Sequence, residues 1–223
     1  MRDECFELFI QEFGEATTKQ AVPASSIPRW QGRLPDQLIK YWEEEGWCGY
    51  GNGLFWTVNP DDYEDIVDEW LEGTPLEQAD AYHVIARSAF GDLYLYPERS
   101  NNDVTLSCPI HTIVMTSSKF ERASMAKKDR AIMSFFAVKD KTNIDLDDEK
   151  KRPLFERALK KLGPLAADEM YGFEPALIAG GRMMLENLSK VKIDQHLTIL
   201  RQFGAPKIPN MNFDLEKFLK EQN

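Results

Sequence analysis

The sequence predicts an α+β protein: N-terminal helices and a small antiparallel sheet, followed by a mainly helical C-terminal region. Two patterns predict it. Apolar residues recur at helical spacing up to Gly73 and again after Pro153, and four short β-rich runs cluster between Tyr82 and Met115. With 223 residues, 43% hydrophobic and 11% aromatic, the chain has enough apolar surface for a substantial core.

Phe6, Phe9, Ile10 and Phe13 predict a helix over residues 3–13 that stops at Gly14. The proline-rich run to Pro35 reads as a connector. Pro35 suits the first turn of a second helix, with Leu38, Ile39 and Trp42 facing inward and Gly46 at its end. Residues 43–56, EEEGWCGYGNGLFW, come next. Gly49, Gly51 and Gly53 suggest a phosphate loop, but a dinucleotide fingerprint needs glycine where Leu54 stands, and the chain has no Gly-Lys-Ser/Thr. Three glutamates just upstream would also repel phosphate. A hairpin or turn needing positive φ, flanked by packed aromatics, explains the glycines better.

Asn59-Pro60 reads as an N-cap and first helical residue, and Tyr63, Ile66, Val67, Trp70 and Leu71 form an inward stripe as far as Gly73. The runs YHVIARS, LYLYP, VTLS and HTIVM predict strands separated by turn formers. A longer helix is expected within residues 118–137. The polar KDKTNIDLDDEKKR, residues 139–152, reads as a linker or boundary loop between a part spanning 1–140 and a part spanning 151–223, packed against each other. Beyond it, Leu154 to Leu162 and Leu197 to Phe203 carry helical patterns, with Asp194 as a cap for the second. Phe213, Leu215, Phe218 and Leu219 suggest a terminal helix, and MYGFEPALIAGG has room for a short strand.

Charge bears directly on function. Between Asp36 and Asp80 there are 13 acidic residues against Lys40 alone, whereas the rest of the chain carries 24 acids and 26 bases. One stretch therefore accounts for the whole net charge of −10. Such a field repels nucleic acid and attracts basic proteins or cations. No run approaches the length of a membrane span and the start lacks a secretory pattern, so a cytoplasmic location is expected. Three cysteines, Cys5, Cys48 and Cys108, read as free thiols rather than a disulfide framework.

Catalytic and cofactor motifs are weak. His83, His111 and His196 are isolated, and Cys108-Pro-Ile-His111 has ligand spacing but no second half-site. Asp145 to Glu149 lacks the glycine and alternating oxygens of a calcium loop. Ser124-Met-Ala-Lys127 matches a Ser-x-x-Lys spacing without its companion motifs. No enzyme activity, cofactor or metal is expected; a hydrolase built on a carboxylate cluster is the reading that a closed, acid-lined cleft would revive.

The 60–72 helix points to recognition. Its stripe leaves Asp61, Glu64, Asp65, Asp68, Glu69 and Glu72 outward. The like-charged pairs Asp61/Asp65, Glu64/Asp68, Asp65/Glu69 and Asp68/Glu72 cost roughly 1–2 kcal/mol together. Glu43, Glu44 and Glu45 stand nearby in sequence beside Trp47 and Tyr50, and aromatic anchors rimmed by charge are a common interface composition. These eleven residues are the expected partner-binding set, and the complementary surface is a basic cleft such as that of a nucleic-acid enzyme.

Two longer stretches carry a family resemblance. LPDQLIKYWEEEGWCGYGNGLFWTVNPDDYEDIVDEWLEG, followed by YHVIARSAFGDLYLYP, resembles the GAD-like domain of bacterial proteins. LFERALKKLGPLAADEMYGFEPALIAGGRMMLENLSKVKIDQHLTIL resembles the C-terminal region found with it in immunity proteins of type VI secretion DNase toxins. The resemblance implies a cytoplasmic, non-enzymatic antidote that binds a nuclease toxin and blocks its active site or its DNA. It supplies no catalytic residues and no contact residues. A GAD-like protein with a small-ligand or regulatory role is the alternative it leaves open.

Overall fold

Asp3 accepts the amide of Phe6 at 2.9 Å and starts helix α1, Glu4–Phe13, whose Phe6, Phe9 and Phe13 are buried. The structure, a computed structural model, describes residues 2–115 and 121–209. The stretch read as a connector contains strand β1, Thr18–Gln20, and a single helical turn, α2, Ile27–Trp30. All three β1 residues are exposed and the strand is fixed by pairing alone, so no periodicity marks it. Helix α3, Asp36–Glu45, follows Pro35 as predicted.

Strands β2, Trp47–Tyr50, and β3, Phe55–Thr57, form a hairpin whose turn carries Gly51, Asn52 and Gly53 at φ of 57°, 58° and 92°. Gly49 lies under the Trp56 ring, where a Cβ would stand 3.0 Å from it. The predicted 60–72 helix begins as a 3-10 turn, Pro60–Tyr63, before α4, Glu64–Leu71, because Asn59 Oδ1 holds the Asp61 amide at 3.3 Å and Tyr63 breaks the α geometry. A turn of helix, α5, Leu76–Ala79, leads into β4, Tyr82–Ser88; then β5, Asp92–Pro97, β6, Val104–Ser107, and β7, Thr112–Met115, match the predicted runs. The seven strands pair antiparallel in sequence order, a larger sheet than the four predicted runs because β1, β2 and β3 extend it.

Every residue of β4 is buried, so the middle of the sheet is covered on both faces. Neighbouring Phe55 and Trp56 show the two sides, since successive strand residues point oppositely. Phe55 meets Phe9 of α1 at 5.3 Å, and Phe9 meets Phe136 of α6, Met125–Ala137, also at 5.3 Å. Residues 118–120 of that predicted helix lie outside the described residues. On the other side the fully buried Arg87 guanidinium stands 4.7 Å from the Trp56 ring and donates to Ala167 O at 2.8 Å.

The predicted linker is folded. It contains α7, Lys141–Ile144, with Ile144 buried, and Asp145 accepts the amides of Leu146 at 2.7 Å and Phe155 at 2.9 Å. Asp148, only 4% exposed, takes Arg152 Nη2 at 2.7 Å, Arg157 Nη1 at 2.8 Å and the Lys150 amide at 2.8 Å. The Asp148 charge is neutralised by Arg152 and by Arg157 just beyond the run. Helix α8, Phe155–Leu162, then leads to a two-stranded hairpin of β8, Glu169–Phe173, and β9, Leu188–Lys192. The chain passes directly into α9, Ile193–Arg201, so extended Lys192 is its cap and Asp194 lies in its first turn. The predicted helix around Phe213 to Leu219 falls outside the described residues.

Further contacts join the C-terminal elements to the sheet layer. Tyr171 N–H donates to Ala89 O at 2.8 Å, and Trp70 of α4, fully buried, donates Nε1–H to Leu197 O at 3.1 Å while its ring packs 5.0 Å from His111. Trp70→Phe is expected to lose about 1 kcal/mol and Trp70→Ala about 3–5 kcal/mol in urea unfolding. Asp148 gives a pH-dependent prediction. The Arg152 guanidinium holds its carboxyl below the usual carboxylate range, so it contributes stability above about pH 4 that disappears as pH falls through the folded value. Asp148→Asn should therefore lower the urea midpoint at pH 7, with a gap from wild type that narrows on acidification.

Candidate partner-binding surface

The inward stripe of α4 is clear in the structure: Ile66, Val67, Trp70 and Leu71 are buried. Asp65, Asp68 and Glu72 are left exposed, with Glu64 and Glu69 half-buried at the flanks. Glu64, Asp68, Glu69 and Glu72 join Glu77 of α5 around an open groove of about 820 Å³, floored by Val67, Leu71, Ala81 and Tyr82. Asp80 and His83 also line it, but both are engaged internally. Asp80 accepts the amides of Arg99 at 3.0 Å and Ser100 at 2.8 Å, and His83 Nε2 lies 2.7 Å from Glu98. Burial pushes the His83 pKa down despite that carboxylate.

The repulsion expected along this face is partly relieved from a distance. Arg29 of α2 pairs with Asp61 at 3.0 Å and with Glu64, closing one end of the row. At the other end Arg201 of α9 donates to the backbone carbonyls of Glu69 at 2.7 Å and Glu72 at 3.0 Å. A cation there satisfies the open carbonyls at the end of α4 and complements its dipole, yet leaves both carboxylates to solvent. Among the described residues no cationic side chain pairs with Asp65, Asp68, Glu69 or Glu72.

The other expected contacts are divided. Glu43 and Glu44 are exposed, but they border a separate hollow of about 380 Å³ with Lys19, Val22 and Ile27. Glu45 is 8% exposed and tied to Arg2 Nε at 2.7 Å, so it is an internal partner. Tyr50 is fully buried 5.0 Å from Phe9, and Trp47 is 6% exposed and packed edge-on against Trp42 at 6.1 Å. Neither projects from the surface, since their strand is buried at all four positions.

The weaker motifs also resolve. Cys108 is fully buried, its thiol pKa pushed well up by burial, and His111 takes a left-handed turn with Nε2 2.8 Å from Gly204 O, which makes them packing groups rather than paired ligands. Cys48 is buried and Cys5 half-buried, all three thiols being free. Among the described residues no group of three His, Cys, Asp or Glu side chains is placed to hold a metal ion, and no helix is long and apolar enough to cross a membrane.

Residues 4–110 match the family model of the GAD-like domain, and residues 129–204 match that of the T6SS immunity protein Tdi1, C-terminal. The chain joins a GAD-like domain to a Tdi1-type C-terminal region. Among solved structures, that of Atu4351 from Agrobacterium tumefaciens superposes with a TM-score of 0.79 over 93% of this chain and 94% of that one, at 23% identity, a likeness of fold. No curated protein matches the chain.

On this division the acidic groove belongs to the GAD-like part, while Arg201 and Leu197, which hold α4 in place, belong to the Tdi1-type region. Glu77 was missed although it lies in the same acidic stretch, because it sits on another helix. Arg201 carried one faint signal: a base in the last turn of a helix.

Proposed function

We propose that this GAD-like protein is a type VI secretion immunity protein that binds a cognate DNase effector in the cytoplasm and neutralises it by occluding its active site or DNA-binding surface. The observation that carries the proposal is the α4 groove, where a row of carboxylates without ion-pair partners is held rigid over a packed core. A DNase must present positive charge to phosphate, and an acidic face can compete for that charge. The function is binding, and no chemistry on the effector is required. The Tdi1-type C-terminal match supports this class over a regulatory role.

Electrostatic steering makes association fast and salt-sensitive. Asp65→Lys, Asp68→Lys and Glu69→Lys together should slow association with the cognate nuclease by at least about tenfold at low salt, with the gap closing toward about 0.5 M salt. Stopped-flow or surface plasmon resonance measures both. An unchanged association rate and salt dependence would remove the acidic face from the mechanism.

A further inference from the structure

A second concavity, away from the acidic groove, has the composition of a ligand site. It holds about 590 Å³ where four segments converge: β1 to β3, the 3-10 turn before α4, the Ala167–Asp168 loop before β8, and the junction of β9 with α9. Trp47, Trp56, Val58 and Ile193 give it apolar walls. Its charged side chains are Asp62, Asp168, Asp194 and Lys192, and Lys192 already pairs with Asp168 at 2.6 Å. Two acids, Asp62 and Asp194, remain without an ion-pair partner among the described residues; Asp62 accepts only from Asn59, at 3.1 Å.

Donors without acceptors lie beside them. Trp47 lines the cleft at 6% exposure, and its indole N–H is buried with no hydrogen-bond partner among the described residues. Helix α9 opens into the cleft with Lys192, Ile193, Asp194 and Gln195; the Ile193 amide is taken by Asp168 O at 3.0 Å, and the cap residue offers no side-chain acceptor to the amides of Asp194 and Gln195 that follow. A simple polyamine would satisfy the acids and leave these donors empty. A phosphate would meet the donors and be repelled by the acids.

We infer that this cleft binds an amino-acid unit with a basic side chain, arginine or lysine, either free or within an extended peptide. The aliphatic stem lies along the tryptophan and Ile193 walls, the cation meets Asp62 and Asp194, and a backbone carbonyl or carboxylate takes the Trp47 and α9 donors. The site is distinct from the α4 groove and does not rest on the immunity reading.

Calorimetric titration of the full chain with acetyl-Gly-Arg-Gly-amide, its glutamate counterpart and free L-arginine tests the inference. Saturable binding of the arginine peptide, absent for the glutamate peptide, is expected. Asp62→Asn with Asp194→Asn should weaken it at least about tenfold, and so should Ala167→Phe, which fills the cleft from an exposed position without touching the acids. The α4 triple reversal should leave it unchanged. Binding of the peptide alone assigns the site to a protein segment, and equal binding of free arginine assigns it to the amino acid. Absence of saturable heat with both basic ligands, or binding indifferent to the cleft variants, overturns the inference.

Discussion

Helix α4 is a segment whose own charges oppose its formation, and the function proposed here depends on what holds it. Its remaining like-charged i,i+4 pairs cost about 0.2–0.5 kcal/mol each. Against that stand the burial of Trp70 and the two charge-assisted bonds from Arg201 to the carbonyls of Glu69 and Glu72, each bond of a kind that contributes about 1.5–3 kcal/mol. The second set is larger. The helix can therefore keep Asp65, Asp68 and Glu69 without ion-pair partners, because its anchoring uses backbone carbonyls and an indole rather than those side chains.

That arrangement gives the two matched regions distinct physical roles. The GAD-like part supplies the acidic stretch and the aromatic layer of Phe6, Phe9, Tyr50, Phe55 and Phe136 on the far side of the sheet. The Tdi1-type region braces α4 from the opposite side through Leu197 and Arg201. Asp61 and Glu64, paired by Arg29, contribute to fold as well as charge, whereas Asp65, Asp68, Glu69 and Glu72 keep their carboxylates for a partner.

Much of the fold was legible in the sequence where burial imposes a period. The stripe of α4, the phenylalanines of α1 and the runs that became β4 to β7 all follow from one buried face. β1 left no such trace, being three exposed residues held by β2, and β9 hid in LSKVK because its outer positions are solvated. Composition misled at Trp47 and Tyr50: aromatic residues beside glutamates suit an interface and a core alike, and only the hairpin around Gly51 and Gly53 shows which. The polar run at 139–152 misled for a related reason, since Asp148 is enclosed in the fold and covered by arginines close to it in sequence. The clamp by Arg201 needs contacts across more than 100 positions of chain, which no local pattern records.

The proposed function requires that α4 be the surface that meets the effector. Hydrogen–deuterium exchange of the chain alone and saturated with its cognate nuclease measures this directly. Protection should rise across residues 61–77, with the aromatic layer under α1 unchanged. Protection confined to the exposed apolar positions Ile110, Val114 and Val138, with α4 exchanging as in the free chain, would contradict it.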